Sequence, residues 1–480
     1  MNKNLKALLI IIPCSLSGDT FKTSQTFMFT RPIYHNLAAQ AQHWNKAVAT
    51  KSHDGLSAAQ VIGLYQHSRD SDRIKRYFLL DCKKQLLIAG DNSTNTTKRD
   101  VRAEWLGLPS DFSGLLTIAP EQRQIGFWLE FNQDLKNYIS WKILDTWWFD
   151  IAIPIVIMKN NLRLSQSNIQ NPGTSAHQPH DIIQAFNQPA WDFAKMDNCS
   201  RSKAGVAEIK FSLGGTYLDD NDFLLAYYGF ISIPTSNKQK PHHIFSAYIG
   251  PNGHVDVGAG FNLELPLHDP CSACKAWLFL NIEDHYYLHN HQLRTFDLRD
   301  HECNELQWSR YMLLRKPGET ETVPAMNITT QRVKVRPYNI VDLSTGFKFA
   351  HAGLECELGY DLWAKHSERI CPVRPCCEGS HFPIEKYGIA GTGISSAQAS
   401  TIAMLADNDP VFIHLKESDI NFRSGASRGG FTNRLHAAAC FTRVGECHDL
   451  FAGAGIFYER PHTNNALENW GFWLKIGDEF

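Results

Sequence analysis

Charge crowds the stretch 289–338, which includes Arg294, Arg299, Arg310, Arg315, Arg332, Lys334 and Arg336, with Asp297, Asp300, Glu302 and Glu305. A guanidinium stays charged at every working pH and presents a fork of donors to anions. Charged side chains gathered at a narrow passage select ions by direct electrostatics. That is the chemistry expected of Arg294, Arg299, Arg310, Arg315, Arg332 and Arg336. A connection this long is often functional. A solvated loop is the plainer alternative. Val333 and Val335 alternate with Arg332, Lys334 and Arg336, so part of the stretch can be a strand.

Histidines cluster at His285, His289 and His291, beside Glu283 and Asp284. In an extended chain all three share one face. A metal site is conceivable there, but a polar wall explains the same residues, and neither metal nor cofactor is expected. No H-E-x-x-H and no phosphate-cradling glycine loop occurs, so no catalytic residue is assigned and no enzyme is expected.

The chain carries twelve cysteines among 480 residues. Cys271 with Cys274, and Cys371 with Cys376 and Cys377, are close enough in sequence for local disulfides in an oxidising compartment, with zinc the rival reading. A net charge of −2 and the lack of a long basic run argue against a nucleic-acid partner.

Lys3 and Lys6 precede the apolar run Ala7–Ile12, and small residues follow at Ser15, Ser17 and Gly18. That is the plan of a secretory signal peptide, here 1–17. No later stretch is apolar for the roughly 18 residues a spanning helix needs. An exported chain of this kind is either soluble or crosses a membrane as strands. Leu37, Ala41, Trp44 and Val48 fall at helical spacing, and Ala58, Val61, Ile62 and Tyr65 suggest a second short helix.

From about residue 112 the pattern turns to alternation. Val255, Val257, Ala259, Phe261, Leu263, Leu265 and Leu267 share one face, against Asp256, Gly258, Gly260, Asn262 and Glu264. Segments 125–131, 149–157, 207–217, 276–288, 341–349 and 352–364 repeat it. Many run 10 to 13 residues. Ordinary strands hold about 5 or 6, whereas a tilted membrane strand needs about 9 to 11. Length with dyad alternation predicts a transmembrane barrel.

The final strand is the most specific signal. Trp470, Phe472, Leu474, Ile476 and Phe480 share one face of a segment ending on an aromatic residue. It resembles the C-terminal insertion signal of Gram-negative outer-membrane β-barrel proteins, with Asp478 a departure from the apolar pattern. In the preceding strand Gly453 and Gly455 fall on the inner face, where glycine relieves crowding.

The resulting expectation is an all-β, antiparallel transmembrane barrel of about 12 to 14 strands at 111–480. A long loop is placed at 289–338, and a partly helical segment, 18–110, is placed in the periplasm or plugging the lumen. The resemblance implies residence in the bacterial outer membrane and porin-like diffusion of small solutes or ions. It also implies outer-membrane lipids and the barrel assembly machinery as partners. Homo-oligomerisation is left open. A surface or adhesive barrel without transport is the rival, and a barrel enzyme a further one.

Overall fold

A computed structural model describes residues 24–49, 57–135, 146–175, 178–218, 222–268, 272–300, 303–319, 321–373, 383–390, 412–445 and 448–480. The signal-peptide span 1–17 lies outside them, as do Cys271, Cys376 and Cys377.

Twelve long strands close into one antiparallel barrel. They are β1 (Ser57–Ser68), β2 (Glu121–Asp134), β3 (Thr146–Asn161), β4 (Glu208–Leu218), β5 (Leu224–Pro234) and β6 (Asp256–Pro266). The second half is β7 (Lys275–Tyr287), β8 (Tyr338–His351), β9 (Leu354–Lys365), β10 (Gly430–Val444), β11 (Asp449–Pro461) and β12 (Asn469–Glu479). Neighbours in sequence pair in the sheet, and β1 closes the ring by pairing β12 along its length. A tight turn with Ala352 and Gly353 both at positive φ joins β8 to β9. Such a turn matches the strands' right-handed twist.

Two points differ from the sequence expectation, and two more arise only in the fold. First, 57–68 is a strand, not a helix: Ala58, Val61, Ile62 and Tyr65 fit helical spacing, but the ladders to β12 and β2 on either side decide. The barrel therefore begins at Ser57, inside the segment assigned to the plug. Second, the helical stretch at 37–48 is two short helices, α1 (Leu37–Ala41) and α2 (Trp44–Ala49), broken where His43 takes a positive φ. Third, Trp148, Trp277 and Trp473 are buried on the lumen side, so strand parity excludes them from an outer aromatic girdle. Fourth, β4 does not run straight on from β3. Pro154, mid-strand in β3, has no N–H to give. Ala207 bulges there and donates its N–H to Pro154 O, and the strand Arg201–Val206 continues β4 beyond the bulge.

Parity explains the two faces. Phe127, Leu213, Tyr227, Ile231, Phe347, Leu358, Leu435, Ile456, Leu474 and Ile476 point outward and stay exposed. Their strand neighbours point inward and are mostly polar, charged or glycine, with Trp128, Phe230, Phe457 and Trp473 among them. A soluble protein rarely leaves so large an apolar patch bare; lipid covers it. Asp478 faces outward with the insertion residues, and His448 Nδ1 lies 3.2 Å from its Oδ2. Leu435, 65% exposed on β10, tests this belt. Leu435→Arg should destabilise the folded barrel by about 2–4 kcal/mol if the site lies near mid-bilayer. Urea titration in lipid vesicles reads it, and an unmoved midpoint would mean that lipid does not cover this face.

The connections at one end are short, such as 352–353 and 445–448. Those at the other end are long at 69–120, 162–207, 235–255, 288–337 and 366–429, and short only at 462–468. Outer-membrane barrels carry short turns on the periplasmic side and long loops outside. The long loops form a cap with its own core, in which Trp105, Phe112, Phe186, Trp308 and Tyr311 are fully buried.

Candidate functional site: a threaded lumen

Residues 24–49 form a strap that runs down the lumen from the cap to the periplasmic end. At the top its backbone is clasped by loop residues. Gln25 N–H donates to Tyr77 O (2.9 Å), Thr26 N–H to Ser424 O (2.9 Å) and Phe29 N–H to Ser427 Oγ (2.8 Å). Lys365 Nζ donates to Phe29 O at 2.8 Å. Gln124 of β2 then holds the strap with both ends of its amide: it accepts from Ile33 N–H (3.1 Å) and donates to Arg31 O (3.1 Å). These bonds satisfy backbone groups that an irregular segment would otherwise leave orphaned.

Ionic contacts hold the middle. Arg31 donates through Nη2 to Asp342 Oδ1 of β8 (2.9 Å) and through Nη1 to Glu459 Oε1 of β11 (3.1 Å), so one guanidinium ties two walls. Arg434 completes the group, 3.1 Å from Glu459 Oε2. His35 Nδ1 lies 2.8 Å from Asp342 Oδ2, and its ring stacks on His285 at 4.5 Å. Tyr34 O–H donates to Glu208 Oε2 at 3.2 Å. Lower down, α1 and α2 lie along the wall. Gln40 donates to Glu130 (2.8 Å), and Asn45 bridges Asn281 and Asn262 (3.1 Å each). Lys475 Nζ donates to Gln42 O at 2.5 Å and Gln40 O at 3.1 Å.

The wall itself is charged. Lys210 pairs with Glu283, and Lys348 sits 2.7 Å from Glu264, 3.7 Å from Glu355 and 3.9 Å from Glu357. The inner face was legible in the sequence as the polar face of each strand. The contacts of Arg31 and His35 were not, because their partners lie hundreds of residues away.

The six arginines read from the sequence belong to the cap. Arg294 is buried against the strap: it stacks over the Phe27 ring (3.2 Å to the centroid) and lies 3.3 Å from Glu368. Arg310 is buried in an ion pair with Asp297 at 2.8 Å. Arg299 donates to Asn421 Oδ1 at 3.2 Å, and Arg315 is buried on the strand Leu313–Arg315. Arg332 and Arg336 lie on the strand Gln331–Arg336, the one that the alternation of Val333 and Val335 suggested. The structure spreads the six over the cap rather than gathering them in one passage.

The three histidines likewise separate. The strand ends at Tyr287, so His285 stays in the lumen while His289 is exposed beyond it. His291 lines a cleft of about 1310 Å³ on the cap side, between the open edges of strands 201–206 and 290–294. Arg201, Lys203, Lys238, Lys240 and Arg332 line it too, and none of its described lining residues is Asp or Glu. Tyr248 forms part of that lining and accepts the N–H of strap residue Thr30 at 3.0 Å. Nearby, burial pushes His254 down to about 4. It is therefore neutral near pH 7, with its Nδ1 against Leu288 O (2.7 Å).

A closed barrel of long strands, apolar outside and charged within, defines the class: this is a transmembrane β-barrel protein of the bacterial outer membrane. Solved structures that share the broad architecture include an outer membrane channel from Pseudomonas putida F1, at 10% identity and TM-score 0.38, covering 89% of this chain and 96% of that one. The transport unit of the autotransporter AIDA-I from Escherichia coli aligns at 9% identity and TM-score 0.30, over 94% and 99%. A Pseudomonas aeruginosa FadL homologue aligns at 8% and 0.28, over 89% and 90%. No family model and no curated protein matches the chain.

Proposed function

We propose that the protein is a porin-like channel for small polar solutes or ions, held shut by its own N-terminal strap. The observation that carries the reading is the strap itself. It is not part of the wall, it lies in the lumen, and side-chain bonds with the packing of Ile33, Tyr34 and Ala38 hold its middle to the inner surface. Its withdrawal would leave a passage lined with charge, the setting in which pore electrostatics select ions. The cation-lined cleft at the mouth, Arg332 included, favours anions. The same reading gives the chain no catalytic role. Its partners would be the membrane lipids and the barrel assembly machinery, engaged through the apolar belt and β12.

Planar-bilayer recording of the wild type against a chain lacking 24–49 tests this. Brief openings in the wild type and persistent stepwise conductance in the deletion are expected. Arg332→Glu with Lys240→Glu should move the reversal potential toward cation preference. A deletion barrel that inserts without conducting would sink the channel reading. A wild type that never opens, beside a conducting deletion, would favour the second reading, a surface barrel whose strap is a permanent filling.

A further inference from the structure

We propose that His35, His285 and Asp342 form a binding site for a divalent transition-metal ion of the zinc class, which clips the strap to the barrel wall. His35 comes from the strap, His285 from β7 and Asp342 from β8. All three are buried, and one donor atom of each lies within 4.8 Å of the others. Two imidazoles and a carboxylate are the donor set that zinc takes. Four donors placed tetrahedrally at zinc distances stand about 3.4 Å apart. Here His35 Nδ1 and Asp342 Oδ2 are 2.8 Å apart, and His285 Nε2 and Asp342 Oδ2 are 3.9 Å apart. Glu283 Oε2, 3.3 Å from His285 Nε2, stays outside this group of three, so the protein offers three ligands and water the fourth.

The surroundings fit the same chemistry. Asp256 Oδ2 lies 2.6 Å from His285 Nδ1, which fixes the ring and leaves Nε2 to bind. A carboxylate behind a ligating histidine is the usual supporting contact of a metal site. Arg31 occupies Asp342 Oδ1, so an ion would take Oδ2 in place of the proton it now shares with His35. A cavity of ≈ 10 Å³ is lined by His35, His285, Asp342, Glu283, Glu208 and Lys210 among others. That is room for about one water-sized body. Ligands must be deprotonated to bind, so the proton held between His35 and Asp342, and any on His285 Nε2, leave to solvent as the ion enters.

The full-length protein, stripped with chelator in detergent, is titrated with Zn²⁺ by calorimetry and with Co²⁺ by visible absorption. One site per chain is expected, with proton release and the d–d bands of a nitrogen-and-oxygen Co²⁺ site. His35→Gln, a strap change that leaves the wall intact, and His285→Gln should abolish it. Asp256→Asn, which touches no ligand atom's bond to the ion, should weaken it by about 10- to 100-fold. Heat-modifiable gel mobility confirms that each variant is folded. Zn²⁺ should also slow amide exchange over 31–42 in the wild type and not in His35→Gln. Absence of a stoichiometric site in the wild type overturns the proposal, and so does binding that survives in both glutamine variants. The site depends on the strap's seat, not on transport. Stoichiometry is read on the closed barrel, so a failed conductance test leaves it standing, and the converse holds.

Discussion

Arg31→Ala should loosen the strap by about 3–5 kcal/mol, because removing one partner of a buried pair leaves an uncompensated charge behind. The two carboxylates it leaves are not equally exposed to that cost. Glu459 keeps Arg434 at 3.1 Å, Thr432 at 2.5 Å and Asn469 at 3.2 Å. Among the described residues Asp342 keeps the histidines, His35 at 2.8 Å and His285 at 3.9 Å. The expected effect therefore lies near the lower end of the range. Each 1.4 kcal/mol is tenfold in an equilibrium, so the released strap should be on the order of a hundredfold more populated. Arg31 also donates through Nε to His35 O at 3.0 Å, so the turn into α1 loosens with it. Hydrogen exchange over 31–42 should quicken by a like factor, and openings in a bilayer should become frequent. Exchange unchanged from the wild type would mean that the clasp at 24–30 alone holds the strap.

Lys348→Met is the second large effect, and it falls on the wall. Lys348 Nζ stands among Glu264, Glu355 and Glu357, from β6 and β9. Beyond it, His43 of the strap lies 4.0 Å from Glu355 and 3.5 Å from Glu479. Methionine matches the stem of lysine but leaves three carboxylates facing one another, again a cost of about 3–5 kcal/mol. Removing an acid at the same time should return part of it. Lys348→Met with Glu264→Gln is expected to be more stable than Lys348→Met alone, the sign of a coupled pair. Urea midpoints in vesicles measure both. If the two changes simply add, Lys348 is solvated in the lumen and the cluster carries no structural weight.

Much of the fold was legible because a strand writes its faces into the chain. Side chains alternate with period two, and the bilayer imposes one rule on the whole outer surface. Phe127, Leu358 and Ile476 could therefore be assigned outward without knowing any neighbour. The same rule put Gly453 and Gly455 inward on β11, where an added Cβ at Gly455 would lie 2.1 Å from the Trp473 ring. It also set Trp470 and Phe480 outward at the end of the chain. Where both faces of a strand carry apolar residues, the local pattern misled: in 57–68 the inward Ile62 and Leu64 sit beside the outward Val61 and Tyr65, which reads as helical spacing, and only the two flanking strands make it a strand.

The site was legible only in part. That the lumen would be charged followed from Asp342, Lys348, Glu355 and Asp361 sharing the polar faces of their strands. That Arg31 would bridge Asp342 and Glu459, or that His285 would meet His35 rather than His289, did not. Nor did the sequence reveal that Arg294 and Arg310 would lie in the cap. By itself, then, the sequence determined most of the strands, the lipid face and the final insertion strand, because each depends on spacing along one stretch of chain. The tertiary structure alone decided the closure at twelve strands, the threading of 24–49 and the partners of every buried charge. Those depend on which distant segments the closed ring brings within bonding distance, and no local period encodes that.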